Sequence, residues 1–161
     1  MSKKKKIPQE MQSTINFHVK AMTWVGGVGG LAGAGADIPL VATSWVTMTI
    51  ALAEEAGHTL DSQTAKKLTM AMATAIGTFA FGMKAATMVF GWAGALFSGG
   101  ATLAASVAAN IALNRTLTKR YGQAAAIYFL ETEHIGNAHA MAKIMYNIFR
   151  AKSGFTYAFN H

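Results

Sequence analysis

The 161-residue sequence contains no cysteine, which excludes disulfide bonds and thiolate metal sites. It has only two prolines, Pro8 and Pro39, and both stand where a helix can start. Charge is also scarce, because charged residues make up 13% of the chain and hydrophobic residues 52%. A typical soluble domain has about 25% charged residues. We therefore expect much of the surface to meet lipid, other copies of the chain, or both.

Acidic residues are the scarcer charge, with 7 Asp+Glu against 14 Lys+Arg and a net charge of +7. Four of the basic residues are consecutive near the N-terminus: Lys3, Lys4, Lys5 and Lys6. Near an anionic membrane each such residue contributes about 1 kcal/mol of attraction. Nucleic acid would attract the same tetralysine, and a solubilising tail is the simpler interpretation.

The segment after the lysines is polar, whereas a secretory signal would continue with an apolar stretch. We therefore expect the chain to stay on the side where it is made, with positive charge facing that side. The predicted location is the cytoplasmic face of the bacterial inner membrane or of an intracellular membrane.

Helical spacing dominates the sequence and strand signals are weak, which predicts an all-α fold. We expect about five helices in a bundle of helical hairpins with glycine- and alanine-rich contact faces. The expected domains are a basic N-terminus (1–8), a single helical domain (9–152) and an aromatic tail (153–161). The expected helices cover about 9–33, 38–57, 62–97, 101–121 and 123–152, with a tight turn over 97–100.

Residues 85–114 carry no charge, but Ser-Gly-Gly at 98–100 interrupts them. Each half is roughly 20 Å of helix at 1.5 Å per residue, which is short of a hydrocarbon core of about 30 Å. The pair could therefore form a hairpin inserted from one side or a buried hairpin in a soluble bundle, and we favour membrane association through short hairpins over a classical membrane-spanning helix. Lys84 and Arg115 flank it and could extend to one membrane interface.

The glycine-rich run at 25–36 fits a loose G-x-G-x-x-A pattern. A dinucleotide site needs a strand before that pattern, and the preceding residues have helical spacing. Small residues four positions apart instead let two helix backbones approach closely. The predicted contact face, within one chain or between chains, consists of Gly26, Gly29, Gly30 and Gly33. Asp37, which follows, is predicted to cap the next helix.

Two Glu-x-x-His pairs are the weak candidates for metal ligands: Glu55 with His58, and Glu131 with His134. Di-iron bundles need a further glutamate from each of two other helices, and these are lacking. We predict no metal, no cofactor and no catalytic residue. The predicted lipid-binding residues outside the tetralysine are Lys84, Arg115, Lys119 and Arg120. Nucleic acid is not expected, because few aromatics interleave with these basic residues.

The segment 24–130 resembles an uncharacterised bacterial helical family found at the C-terminal side of GTPase domains and in YcjF-like inner-membrane proteins. The first matching block is an Ala/Gly-rich helix, then D-x-P, then a helix with methionine and alanine before a glycine turn. The residues that carry it are Asp37, Pro39, Met48, Ala51 and Gly57.

A second block of that family is a glycine-containing helical hairpin followed by a helix with threonine, glycine and an aromatic, here Thr116, Gly122 and Tyr128. This sequence has no GTPase domain, and the usual proline of the hairpin turn is missing. The resemblance implies a helical fold close to a membrane, and it supplies no catalytic residues.

The sequence thus predicts a non-enzymatic, membrane-associated helical protein. It would self-assemble into homo-oligomers through small-residue helix faces and contact anionic lipid through basic segments. The alternative is a soluble helical adaptor for a separate GTPase or another protein partner. A metal-binding helical bundle is the minor alternative.

Overall fold

The computed structural model describes residues 6–32, 38–76 and 101–151, and all regular structure in them is helical, which confirms the all-α fold. Helix α3 is described over residues 62–76. The other helices are α1 (Gln9–Ala32), α2 (Ile38–Glu55), α4 (Ala101–Glu131) and α5 (Ala138–Ala151). The turn expected over 97–100 and the tail over 153–161 lie outside the described residues.

The turn between α2 and α3 follows from local chemistry. Gly57 has a φ of +84°, a left-handed conformation that glycine adopts without steric cost. The Oδ1 atom of Asp61 accepts hydrogen bonds from the backbone N–H groups of Gln63 (3.0 Å) and Thr64 (2.9 Å). Asp61 is therefore the N-cap of α3, and the hydrogen bonds from Thr64 lower the pKa of its carboxyl group.

Helices α1 and α4 form the main antiparallel pair of the bundle. Gly26 of α1 lies against Ile111 of α4, and eleven residues earlier Ile15 lies against Gly122. A Cβ atom on Gly26 would be 2.8 Å from the Cα atom of Ile111. These two contacts define the register between the helices. A residue that is n positions before Gly26 in α1 lies level with the residue that is n positions after Ile111 in α4.

Helix α2 runs antiparallel to α1 beside it. Near the C-terminal end of α2, Thr14 Oγ1 donates a hydrogen bond of 2.5 Å to Glu55 Oε1. Earlier in α2, Ser44 Oγ lies 2.8 Å from Nδ1 of His18. The N-terminus of α1 and the C-terminus of α2 therefore share one end of the bundle.

The predicted boundary between the last two helices is wrong. We expected a helix to end or bend at about Tyr121 and the next to begin at Gln123, but α4 continues to Glu131. Gly122 does not end the helix, because it fills a narrow gap against α1 and α2. The true break precedes α5, where Asn137 Oδ1 accepts a hydrogen bond from the Ala140 N–H at 2.9 Å and caps the helix.

The hydrophobic core lies between the helices and is rich in methionine, whose flexible side chain fills irregular gaps. Its largest fully buried apolar side chains are Phe129, Met11, Met22, Met48, Leu52, Leu68, Met72, Met141 and Met145. Helix α5 completes this core over the C-terminal half of α4.

Candidate functional site

A buried chain of hydrogen bonds joins three helices around Tyr121. The Tyr121 hydroxyl lies 2.6 Å from Thr49 Oγ1 in α2 and 3.2 Å from Thr69 Oγ1 in α3. Its ring stacks on Trp45, with the ring centroids 4.3 Å apart. The Trp45 indole N–H donates to Thr118 Oγ1 at 2.8 Å. Because Trp45 and then Thr49 of α2 contact Thr118 and then Tyr121 of α4, α2 runs parallel to α4.

The direction of this chain follows from counting protons. Thr49 donates its single hydroxyl proton to the carbonyl oxygen of Trp45 at 2.7 Å, so its oxygen must accept the proton of Tyr121. Tyr121 then accepts from Thr69. Burial raises the pKa of Tyr121 from an ordinary value of 10.0 that already leaves the phenol protonated at neutral pH. Among the described residues, no buried side-chain polar atom lacks a hydrogen-bond partner, so this network orders the core.

The candidate metal ligands do not converge. Glu55 is exposed and bonded to Thr14. His58 Nε2 lies 2.9 Å from the Phe129 carbonyl oxygen and must donate to it, because a carbonyl only accepts. Glu131 is the last residue of α4 and His134 lies in the loop before α5, and both are exposed. Within the described residues, no three His, Asp or Glu side chains are grouped as metal ligands.

Of the predicted lipid-binding residues, Arg115 and Lys119 are exposed one turn apart on α4, and Arg120 is half-buried beside them. Lys6 is exposed just before α1. The remaining four lie outside the described residues: Lys3, Lys4, Lys5 and Lys84. The cap residue Asp37 and the contact residue Gly33 also lie outside them.

The predicted glycine face is in contact within the chain at Gly26, which is buried against α4. The Gly26 carbonyl oxygen also accepts a hydrogen bond of 3.0 Å from the side-chain amide of Asn110. Gly29 and Gly30 lie in the last turns of α1, but their surroundings fall outside what the structure describes.

The outward face of α1 carries two large exposed aromatic residues that were not among the predicted site residues. Phe17 is 70% exposed and Trp24 is 82% exposed. Exposed Lys20 lies between them, at i+3 from Phe17 and i−4 from Trp24, so the three side chains share one helix face. In the sequence, these three residues are spaced i, i+3 and i+7 on the side opposite the apolar stripe of α1, and this spacing already indicates a shared exposed face.

The register places Lys20 level with exposed basic residues of α4. Lys20 is six residues before Gly26, so it is level with the turn of α4 between Arg115 and Lys119. We call Lys20, Arg115 and Lys119 the basic belt. No charged residue occurs beyond this level in the described parts of α1, α2 or α4, which are residues 21–32, 38–44 and 101–114. We call these three segments the uncharged end.

Acidic residues collect at the opposite end of the bundle, which we call the acidic end. That end holds the N-terminus of α1, the C-termini of α2 and α4, and the turn before α3. Its acidic residues are Glu10, Glu54, Glu55, Asp61, Glu131 and Glu133. Along the bundle axis the order is therefore uncharged end, basic belt, acidic end. Within the described ranges, no helix has the length and hydropathy needed to cross a membrane.

No protein family, curated protein or solved structure matches this chain significantly. The resemblance to the GTPase-associated family therefore stays a prediction, and the functional proposal rests on the surface of the molecule.

Proposed function

We propose that this protein is a non-enzymatic helical protein that binds anionic membrane surfaces through its basic belt and the aromatic face of α1. The observation that carries the proposal is the coincidence of these two features at one level of the bundle. Phe17 and Trp24 flank Lys20 on α1, and Arg115 and Lys119 lie at the same height on α4.

The residue types on this surface suit the boundary between water and lipid. Tryptophan is enriched at membrane interfaces because its large ring is amphipathic. Lysine and arginine extend their apolar stems along a surface while their charges reach lipid phosphates. A face with exposed aromatic rings and basic residues is therefore typical of an interfacial helix.

The charge distribution favours the same orientation. The acidic end is the part of the bundle that an anionic surface repels, and it lies away from the basic belt. Lys6 lies just before α1 at the acidic end, so we expect the N-terminal lysines to add less attraction to an anionic leaflet than the belt does. Exposed charges are screened over about 10 Å at 0.1 M salt and 3 Å at 1 M salt, so binding should weaken as salt is raised.

The experiment is co-flotation of the full chain with lipid vesicles. We expect binding to vesicles of equal parts phosphatidylcholine and phosphatidylglycerol at low salt, and much weaker binding to pure phosphatidylcholine. The belt variant Lys20→Glu/Arg115→Glu/Lys119→Glu should lose most of the binding. Removal of Lys3–Lys6 from the otherwise wild-type chain should weaken binding less than the belt variant does.

The matched control reverses three exposed lysines away from the belt, Lys66→Glu/Lys67→Glu/Lys143→Glu, and changes the net charge equally. We expect it to keep more binding than the belt variant. Equal losses in both variants would mean that total charge decides binding and would contradict the belt. If the wild-type chain does not bind anionic vesicles and is monodisperse without detergent, the result favours the alternative of a soluble helical adaptor.

Self-association remains a separate prediction. The close approach at Gly26 is made to Ile111 of the same chain, so this glycine supports the fold of one protomer. Equilibrium sedimentation in the presence and absence of detergent would measure the oligomeric state directly.

A further inference from the structure

The polarity of α4 is inverted at the uncharged end. Asn110 and Asn114, spaced four residues apart, are 2% and 1% exposed, and Thr118, one turn further along at the level of the belt, is 0% exposed. Among the residues of 104–114 whose exposure the structure describes, the exposed ones are small and apolar: Ala104, Ala105, Ala108, Ala109 and Ala112. The polar side chains therefore face the bundle, and alanine faces outward.

A helix on the surface of a water-soluble bundle normally shows the opposite arrangement, with apolar residues inside and polar residues outside. In a bilayer, polar side chains turn towards neighbouring helices because hydrocarbon offers them no hydrogen-bond partner. Asn110 has such a partner, since its amide donates to the Gly26 carbonyl oxygen. The uncharged end thus has the polarity of a lipid-embedded bundle.

Resting on the proposed membrane binding, we propose that the bundle enters the anionic leaflet end-on. The uncharged end lies in the hydrocarbon, the basic belt is at the level of the lipid phosphates, and the acidic end stays in water. The occupant of this surface is the lipid itself, because the belt matches anionic headgroups in charge and the exposed alanines offer no polar group to a protein partner.

The dimensions fit one leaflet. Residues 101–114 of α4 extend about 21 Å beyond the belt, and residues 21–32 of α1 extend about 18 Å, at 1.5 Å per residue. The belt lies at the headgroups, and half of a bilayer of about 40–45 Å including its headgroup regions is about 20–22 Å. These segments can therefore reach the middle of the bilayer without crossing it, which agrees with the finding that no described helix is suited to span a membrane.

Exposed hydroxyl groups near the belt are satisfied within their own helix. Thr43 Oγ1 donates to the Pro39 carbonyl oxygen at 2.9 Å, and Thr47 Oγ1 donates to the Ser44 carbonyl oxygen at 3.0 Å. Such backbone bonds let threonine lie at a lipid-facing position without an unpaired donor. Leu40, 49% exposed in the first turn of α2, adds an apolar side chain at the uncharged end.

The test measures how deeply single fluorescent labels lie in the bilayer. Because the chain has no cysteine, one introduced cysteine gives one labelled position. An NBD group is attached to Ala105→Cys, Ala112→Cys or Glu133→Cys in the full chain, bound to vesicles of equal parts phosphatidylcholine and phosphatidylglycerol. We expect quenching by lipid-attached spin labels to be strongest at position 105, weaker at 112 and absent at 133. Aqueous iodide should quench in the reverse order.

A second pair of labels separates end-on insertion from flat binding. Asn16 and Thr23 are exposed on one side of α1 and seven residues apart, which is about 10 Å along the helix. End-on insertion predicts that a label at Thr23→Cys lies deeper than one at Asn16→Cys. Equal depths would overturn the inference.

The third comparison replaces an exposed alanine by a charged glutamate. Ala108→Glu lies on the exposed face of the uncharged end, and Ala140→Glu makes the same change at an exposed position of α5. We expect A108E to abolish lipid quenching of the label at position 105, and A140E to preserve it.

The outcomes are distinguishable from failure of the proposed function. If flotation shows binding but every label stays accessible to iodide, membrane binding stands and end-on insertion is wrong. If the wild-type chain does not float with anionic vesicles, the proposed function fails and this inference fails with it. Deep burial of the label at position 133 would reverse the orientation and also overturn the inference.

Discussion

Helix α1 approaches α4 so closely at Gly26 that a methyl group there would lie 2.8 Å from the Cα atom of Ile111. A Cβ atom on the neighbouring Gly27 would meet nothing within 4 Å. Two adjacent glycines of one helix therefore serve different purposes, and they provide a matched pair for mutation.

Gly26→Ala should destabilise the protein by about 1–3 kcal/mol, the usual cost of overpacking a rigid contact. Gly27→Ala should stabilise it by roughly 0.5–1 kcal/mol, because alanine restricts the unfolded chain and favours helix. Chemical denaturation followed by circular dichroism measures both. Equal effects of the two substitutions would contradict the close contact between α1 and α4.

Tyr121→Phe should destabilise the bundle by about 1–3 kcal/mol, because it leaves the buried Thr69 donor without its acceptor. The control is Tyr128→Phe, which removes a hydroxyl outside this chain of hydrogen bonds. A difference in denaturation midpoint between the two variants is expected. If Y121F were as stable as the wild type, the hydrogen-bonded chain from Thr69 to Thr49 would not order the core.

Burial lowers the pKa of His18, which bonds to Ser44 between α1 and α2, from the ordinary value of 6.5. The unfolded chain therefore binds more protons near that pH than the folded chain does. The contribution of His18 to stability is present above pH 6.5 and is lost as the pH falls through the unfolded value towards the folded one.

The corresponding measurement is the NMR titration of the histidine rings together with denaturation at several pH values. The His18 ring should titrate below 6.5, and His18→Gln should reduce the loss of stability on acidification. The exposed His139→Gln is the control for the loss of an imidazole. A His18 ring that titrates above 6.5 would contradict the burial of this side chain.

Trp24 should report membrane contact directly. It is 82% exposed, whereas Trp45 is 3% exposed and stacked on Tyr121. Addition of anionic vesicles should shift the tryptophan emission to shorter wavelength, because Trp24 leaves water. The variant Trp24→Phe, which keeps an aromatic ring on this face, should weaken flotation only slightly but lose most of that shift. An unchanged shift in this variant would show that another tryptophan carries the signal.

The local features of the fold were predictable because they depend on neighbouring residues. The Gly57 turn and the Asp61 cap each involve contacts within a few positions along the chain. The partners of Gly26 and Gly122 were not predictable, since they depend on the register between helices far apart in sequence. Gly122 looked like a helix end for this reason, although it accommodates Ile15 and Met48.

The missed break before α5 did have a sequence signal. The apolar stripe continues across the break, which suggested one long helix, but Asn137 is a favoured N-cap residue. The candidate surface was predicted only in part. Arg115 and Lys119 were chosen for their charge, while Phe17 and Lys20 gain significance from the antiparallel register that aligns α1 with α4.

The most direct test of membrane association is fractionation of cells that express the full chain, followed by a carbonate wash of the membrane pellet. We expect the protein to sediment with the membranes and to stay there after the wash, because its uncharged end lies in the hydrocarbon. A protein found entirely in the supernatant before any wash would contradict the proposed membrane binding.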